Sequence, residues 1–332
     1  MAYTDIDDPS AYFQTALFTG NGGTNAITNT GNSDLQPNMI WFKCRSAAEH
    51  HVIFDSVRGV TKGIYPNLDS AEDNLSNSLA SFNSDGFTMG ADTGSGGAFN
   101  GNTKTMAAWQ WKESATAGFD IVGYTGNQTS GATLAHSLGV KPDMIITKSR
   151  AGASGWGVYH KSLGATYGML LNTTAAKDDD ATAWNDVEPD TSNITLGSSI
   201  NTNKTGTMVC YAFAEKQGYS KFGSYTGNGN ANGTFVYTGF KPAWILIKRS
   251  STAGNDWGIF DNKRLGYNVD NEELRPSAND AEQTDDRLDI LSNGFKIRLA
   301  GAGFNASGDT FIYMAFAESP FVTSTGVPAT AR

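Results

Sequence analysis

Four histidines, one recurring acidic position and a run of three aspartates are the residues best suited to chemistry in this 332-residue chain. His50 and His51 are adjacent. On a strand, neighbours point to opposite faces, so the two cannot grip one metal ion. No histidine sits at a zinc-finger spacing. Asp55, His160 and Asp261 follow similar apolar-aromatic pairs, about 100 residues apart. A glycosidase needs two carboxylates facing one another at about 5–10 Å. Here the third member is a histidine and the carboxylates are far apart in sequence, so bonds to the amides of the following turn are the expected role. Asp178-Asp179-Asp180 offers oxygens for calcium, which takes six to eight ligands, but no EF-hand pattern surrounds it. It reads as a solvated loop. Gly227-Asn228-Gly229 has no following Lys-Ser/Thr, so it is not a phosphate loop. The chain is expected to be no enzyme, with no catalytic residue, metal or cofactor.

The tryptophans are the other candidates. Trp156 and Trp257 precede Gly-Val-Tyr and Gly-Ile-Phe. They could stack on sugars, but their recurrence points to a repeated core. Trp184 in Ala183-Trp184-Asn185-Asp186 has no counterpart elsewhere. A loop tryptophan beside an amide and a carboxylate suits contact with a ligand or partner. Trp184, Asn185 and Asp186 are therefore the candidate binding residues, against the alternative of a packed loop anchor.

These residues are carried by an internal repeat. Thr-Gly-Asn starts at Thr19, Thr125 and Thr226. Pro37, Pro142 and Pro242 open Pro-Asn-Met-Ile-Trp-Phe-Lys, Pro-Asp-Met-Ile-Ile-Thr-Lys and Pro-Ala-Trp-Ile-Leu-Ile-Lys. Ile53-Phe54-Asp55, Val158-Tyr159-His160 and Ile259-Phe260-Asp261 follow at the same spacing. Trp109-Gln110-Trp111, Tyr211-Ala212-Phe213 and Met314-Ala315-Phe316 close each copy. Four ordered markers in three copies establish a triplication. Ser84-Asp85-Gly86-Phe87 and Ser292-Asn293-Gly294-Phe295 add tight turns with glycine. Thr191-Ser192-Asn193-Ile194 lacks the glycine, so the turn in copy two should differ.

The expected fold is all-β: three tandem β-sandwich domains at 1–114 with an N-terminal arm, 117–216 and 217–320, then a tail at 321–332. Strands such as Trp244-Ile245-Leu246-Ile247 are apolar at every position, so both faces must be covered. Lys43, Lys148 and Lys248 end these strands and read as solvated termini. Leu68, Ala71, Leu75 and Leu79 recur at three- and four-residue spacing, which predicts a short helix or turn, with an echo near Ala278 to Glu282. The linkers Glu113–Gly118 and Lys216–Tyr219 are brief, so the copies should form a rigid row or cluster.

Composition excludes several classes. Thirty-eight glycines and 17% charged residues fit short strands and turns. A net charge of −9 with no basic stripe argues against nucleic-acid binding. No apolar run reaches a membrane span of about 18 residues, and the acidic opening is unlike a signal peptide. Cys44 and Cys210 lie at non-equivalent positions and are expected buried and reduced.

The opening from Met1 to Gly22 resembles a family of marine tailed-phage structural proteins. So do Phe54-Asp55-Ser56-Val57-Arg58-Gly59, Ser84-Asp85-Gly86-Phe87-Thr88, Trp109-Gln110-Trp111-Lys112 and the closing Ser319 to Pro328. The resemblance spans the chain but departs at Lys112 to Thr116, where family members often carry a Ser/Thr-rich insertion. It implies a virion structural protein, tail-fibre-like, with a jelly-roll or concanavalin/SPRY-like sandwich and no established catalytic residues. The partners implied are other virion proteins, further copies in a homo-oligomer, and a host surface glycan or envelope protein. The alternative is a capsid decoration or tail-assembly component without a ligand.

Overall fold

In the computed structural model, residues 3–91, 99–265, 268 and 272–328 are described. Strand accounts for 41% and helix for 4%, so the fold is all-β with several antiparallel sheets. Three main sheets repeat one strand order. In space the first runs Phe13–Thr19, Thr105–Trp111, Met39–Cys44, Val52–Asp55. The second runs Phe119–Gly126, Gly206–Phe213, Met144–Ser149, Gly157–His160, and continues into Tyr167–Leu170 and Asp178–Asp179. The third runs Ser220–Thr226, Thr310–Pro320, Phe240–Arg249, Gly258–Asp261. Each copy adds a small sheet, built on Asn25–Ile27, Ala132–Ala135 and Phe235–Tyr237 respectively.

The doubly apolar strands have two distinct covers. Successive side chains point to opposite faces. Ile40 and Phe42, Ile145, and Ile245 and Ile247 face outward into separate clusters, each closed by that copy's small sheet. Met39 and Trp41, Met144 and Ile146, and Trp244 and Leu246 face inward and meet in one cluster shared by all three copies. Trp244 lies at its centre, with ring centroids 5.3 Å from Trp111 and 6.3 Å from Trp109. Phe316 lies 5.4 Å from Phe13 and 6.1 Å from Phe213. Each copy thus has an interior of its own and a share in a common one.

The copies close into a ring. The Glu72 amide donates to Arg150 O (3.1 Å), Lys177 to Ser250 O (3.0 Å) and Glu282 to Arg45 O (2.9 Å). Each bond joins one copy's loop to the next, and the last returns from copy three to copy one. Trp156 Nε1 donates to Leu68 O at 3.1 Å, and Trp257 Nε1 to Leu170 O at 3.0 Å. These two tryptophans are core residues, 0% and 1% exposed. The first and last copies also meet through their outer segments: the Ser324 amide donates to Asp7 Oδ1 at 2.6 Å.

Two expectations are corrected. Of the helix or turn expected over residues 68–79 only a turn forms, at 76–78; Asp73–Asn74 pairs with Lys62–Gly63, and Leu79 opens a strand. Residues 278–282 are likewise not helical. These loops must reach the neighbouring copy, and extended chain covers about 3.3 Å per residue against 1.5 Å in a helix. Lys43, Lys148 and Lys248 are not solvated but 0% exposed. Their ammonium groups donate to backbone carbonyls. Lys43 reaches Glu49 O (2.6 Å) and Asn279 O of copy three (3.1 Å); Lys148 reaches Asp69 O of copy one (3.2 Å); Lys248 reaches Asn255 O. Burial brings each pKa down to about 8.

Gly86 (φ +85°) and Gly294 admit the carbonyls of Ile27 and Val236, which would sit 2.1 and 2.0 Å from an added Cβ. In copy two, Asp190 Oδ1 takes the Ser192 and Asn193 amides instead, both at 2.7 Å. Cys44 and Cys210 are buried and free. Among the described residues, no helix is long and apolar enough to cross a membrane.

Candidate functional site: an exposed aromatic cleft in the third copy

Asp55, His160 and Asp261 are structural, and they do more than hold turns. Asp55 Oδ1 takes the Arg58 amide (2.9 Å), Asp261 Oδ1 the Lys263 and Arg264 amides (3.0 Å each), and His160 Nδ1 the Ser162 amide (3.1 Å). Each also bridges to another copy. Tyr211 Oη donates to Asp55 at 2.6 Å, and Trp109 Nε1 to Asp261 at 2.9 Å. Tyr211 and Trp109 are equivalent to Met314, which has no hydrogen to donate. There His160 Nε2 donates instead to Tyr313 O at 3.1 Å. Its two bonds fix one neutral tautomer, and burial brings its pKa down to about 4. Arg58 and Arg264 neutralise the two aspartates, whereas Leu163 stands at that place beside the neutral His160. His51, equivalent to Trp156 and Trp257, accepts from Trp41 Nε1 at 3.0 Å. Burial drives its pKa well below the ordinary value.

The Thr-Gly-Asn marker is also explained by packing. A Cβ on Gly20, Gly126 or Gly227 would lie 2.1 to 2.3 Å from the carbonyl of Gly101, Lys204 or Ala306. Just before those carbonyls stand Asn100, Asn203 and Asn305, each at most 1% exposed. Asn203 Oδ1 accepts the Asn127 amide (2.9 Å), and Nδ2 donates to Gly197 O (2.8 Å) and Thr129 O (3.0 Å). Asn305 Oδ1 likewise accepts the Asn228 amide at 3.0 Å, and its Nδ2 donates to Leu299 O at 2.9 Å. These clips were missed in the sequence because a lone asparagine in so polar a chain stands out only once its carbonyl neighbours are known.

Trp184 is a packed anchor. It is 1% exposed, ends the Ala181–Trp184 helix, and packs edge-on against Tyr159 at 6.0 Å. Asn185 and Asp186 follow with positive φ (55° and 54°). Asn185 Oδ1 accepts from Ser130 Oγ at 2.5 Å. The three residues define a tight local turn, with the indole face covered. Asp178 to Asp180 divide their work: Asp178 and Asp179 are exposed in a two-residue strand, and Asp180 caps the helix through the Thr182 amide (2.9 Å). No group of three or more metal-ligating side chains comes together among the described residues.

The site emerges by comparing copies. On the small sheets, Ile27, Leu134 and Val236 face in against Phe87, Ile194 and Phe295. Their neighbours face out. Copy one has Ala26 and Thr28 there, copy two has Thr133 and Ala135, and copy three has Phe235 and Tyr237. Phe235 is 45% exposed and Tyr237 59%. Beside Tyr237 lie Tyr3 of the N-terminal arm (62%) and Phe321 of the closing segment (38%). Tyr237, Tyr3 and Phe321 border a cleft of about 440 Å³ whose polar side carries Lys221, Glu215 and Gln217, while Phe235 lies outside the lining on the same face of its strand. Lys221 pairs with Glu215 at 2.6 Å, and Gln217 Nε2 fastens the Tyr3 carbonyl at 3.0 Å. Exposed aromatics are costly to leave in water, and their gathering at one cleft marks a contact surface. Rings can carry the apolar face of a ligand while the amide and charged groups take its polar atoms.

The domain of unknown function DUF7483 matches residues 8–320. The chain belongs to this family. No curated protein and no solved structure matches it. The DUF7483 match begins beside the N-terminal arm and ends at Pro320, so it takes in all three main sheets, while Tyr3 and Phe321 of the cleft lie just outside it.

Proposed function

We propose that this DUF7483 chain is a non-enzymatic structural protein of a phage virion, tail-fibre-like, which contacts host glycan or envelope through the aromatic cleft of its third copy. In this reading one β-sandwich unit was triplicated, two copies became scaffold, and the third acquired the contact surface. The observation that carries it is the replacement of small outward residues in one copy only, by Tyr237, which lines the cleft, and by Phe235 on the same strand face. The whole-chain sequence resemblance to phage structural proteins supports the virion setting.

The test is the double substitution F235T/Y237A, which restores the residues of copy two. It should leave the thermal midpoint unchanged, because surface substitutions usually stay within about 0.5 kcal/mol. Adsorption to host cells and binding on a glycan array should fall at least about tenfold. Undiminished binding by a folded variant removes the cleft from the function. A second reading is a capsid decoration or tail-assembly component. It is favoured by the cleft's use of both chain ends, Tyr3 and Phe321, a surface that also suits docking on a neighbouring virion protein. Immunogold labelling of intact particles separates the two, placing the chain at fibre tips or on the head or tail tube.

A further inference from the structure

The ring has three junctions, and one is built differently. At each, the first strand of one copy lies against the turn after the third strand of the copy before it. Equivalent inward positions on that first strand are Ile121 in copy two, Phe222 in copy three and Thr15 in copy one. Ile121 and Phe222 are buried members of the shared core, 4% and 1% exposed. Thr15 is as enclosed, at 9%, but its Oγ1 is buried with no hydrogen-bond partner.

The facing turn is altered too. After Asp55, His160 and Asp261 come Ser56, Lys161 and Asn262. Ser56 bonds Asn38 at 3.2 Å, and Lys161 pairs with Asp143 at 3.1 Å and Glu215 at 2.7 Å. The residue equivalent to Asn38 and Asp143 is Ala243, which offers nothing. Asn262 Oδ1 is accordingly buried and unpartnered. Two independent replacements, Thr for a large apolar residue and Ala for a polar partner, open one cleft of about 170 Å³ lined by Thr15, Asn262, Ala243, Phe13 and Lys263.

We propose that this junction between the first and third copies is a binding site for a single neutral sugar ring. Left unmade, two buried hydrogen bonds are destabilising, and an apolar filling as at Ile121 would have removed the deficit. The space equals about five or six waters, enough for one pyranose and too small for a drug-sized ligand. Asn262 Oδ1 only accepts, whereas the Thr15 hydroxyl both donates and accepts, so the pair suits a ligand that can donate at one atom and donate or accept at its neighbour, as vicinal hydroxyls do. Two oxygens are far fewer than calcium requires, and the Lys263 rim disfavours a cation. The Glu318 carboxylate also lines the cleft, and its charge together with the acceptor Asn262 Oδ1 disfavours an anion. Phe13, Ala243 and Ala317 supply the apolar floor.

The inference uses residues separate from the aromatic cleft and stands without the function proposed above. The full chain, isotope-labelled, is titrated with D-glucose, D-galactose, D-mannose and N-acetyl-D-glucosamine, and amide shifts are followed by NMR. At least one sugar should give saturable shifts at Thr15, Asn262 and Ala243, with a dissociation constant on the order of millimolar. Thr15→Ile copies Ile121, should melt no lower than the parent, and should weaken binding at least about tenfold. Asn262→Ala, close to the surface, should weaken it as well and serves if Thr15→Ile misfolds. The proposal is overturned if no sugar shifts these amides, if binding survives both substitutions, or if a crystal soaked in the best sugar holds only ordered water on the two oxygens.

Discussion

Cutting one copy out of the ring is the sharpest test of the shared interior. Residues 117–216 contain twelve members of the common cluster, from Ala117 to Phe213, and eleven of them are larger than alanine. Burying a large apolar side chain contributes about 2 kcal/mol, so full exposure of these would cost about 20 kcal/mol, and half exposure about 10. Whole domains are stable by only about 5–15 kcal/mol. The outer cluster around Tyr159 and Trp184 would survive the cut but cannot offset such a loss. The isolated segment should therefore show poor amide dispersion by NMR and no sharp transition by calorimetry. The full chain should unfold in a single transition. A segment 117–216 that melts cooperatively with native-like dispersion would refute the common core as the main source of stability, and with it the closed ring.

Other outcomes follow from the bonds between and within copies. Tyr211→Phe and Asp55→Asn should be coupled by about 1.5–3 kcal/mol in a denaturant double-mutant cycle, since the bond is charged and buried; additive effects would show the bridge to be idle. Asn203→Ala should cost about 2–4 kcal/mol in the same assay, because it orphans the Asn127 amide and the Gly197 carbonyl together. His160 titrates near pH 4 folded and near 6.5 unfolded, so its neutral form favours the native state. Its contribution is complete above pH 6.5 and is lost as pH falls through 4, about 3 kcal/mol in all. A stability profile of His160→Gln against the parent should diverge over that window, and parallel profiles would contradict the assignment.

The recurring strand order could be read because packing demands recur wherever the same sheet recurs. Trp244-Ile245-Leu246-Ile247 announced two covered faces, and both exist. What a single strand cannot announce is whose side chains do the covering, so the common cluster was invisible. The same blindness explains the lysines. Lys43, Lys148 and Lys248 look like strand ends meeting water, yet carbonyls from loops of adjacent copies await Lys43 and Lys148. Leu68, Ala71, Leu75 and Leu79 match a helical period, but inter-copy bonds at Glu72 pull the segment straight. Trp184 drew notice by being unique, while its burial depends on Tyr159, distant in sequence. The cleft was hidden for the opposite reason. Phe235 and Tyr237 read as ordinary strand residues, and only alignment of the small sheets reveals that copies one and two keep small residues there.

Asp7 holding Ser324, and copy three bonded back to copy one, bring the segments around these two residues to a single seam. Bridging the segments around Asp7 and Ser324 with a short spacer and starting translation at Ala115 or Gln217 should yield the same object with a rearranged gene, because neither nick severs a strand of the main sheets.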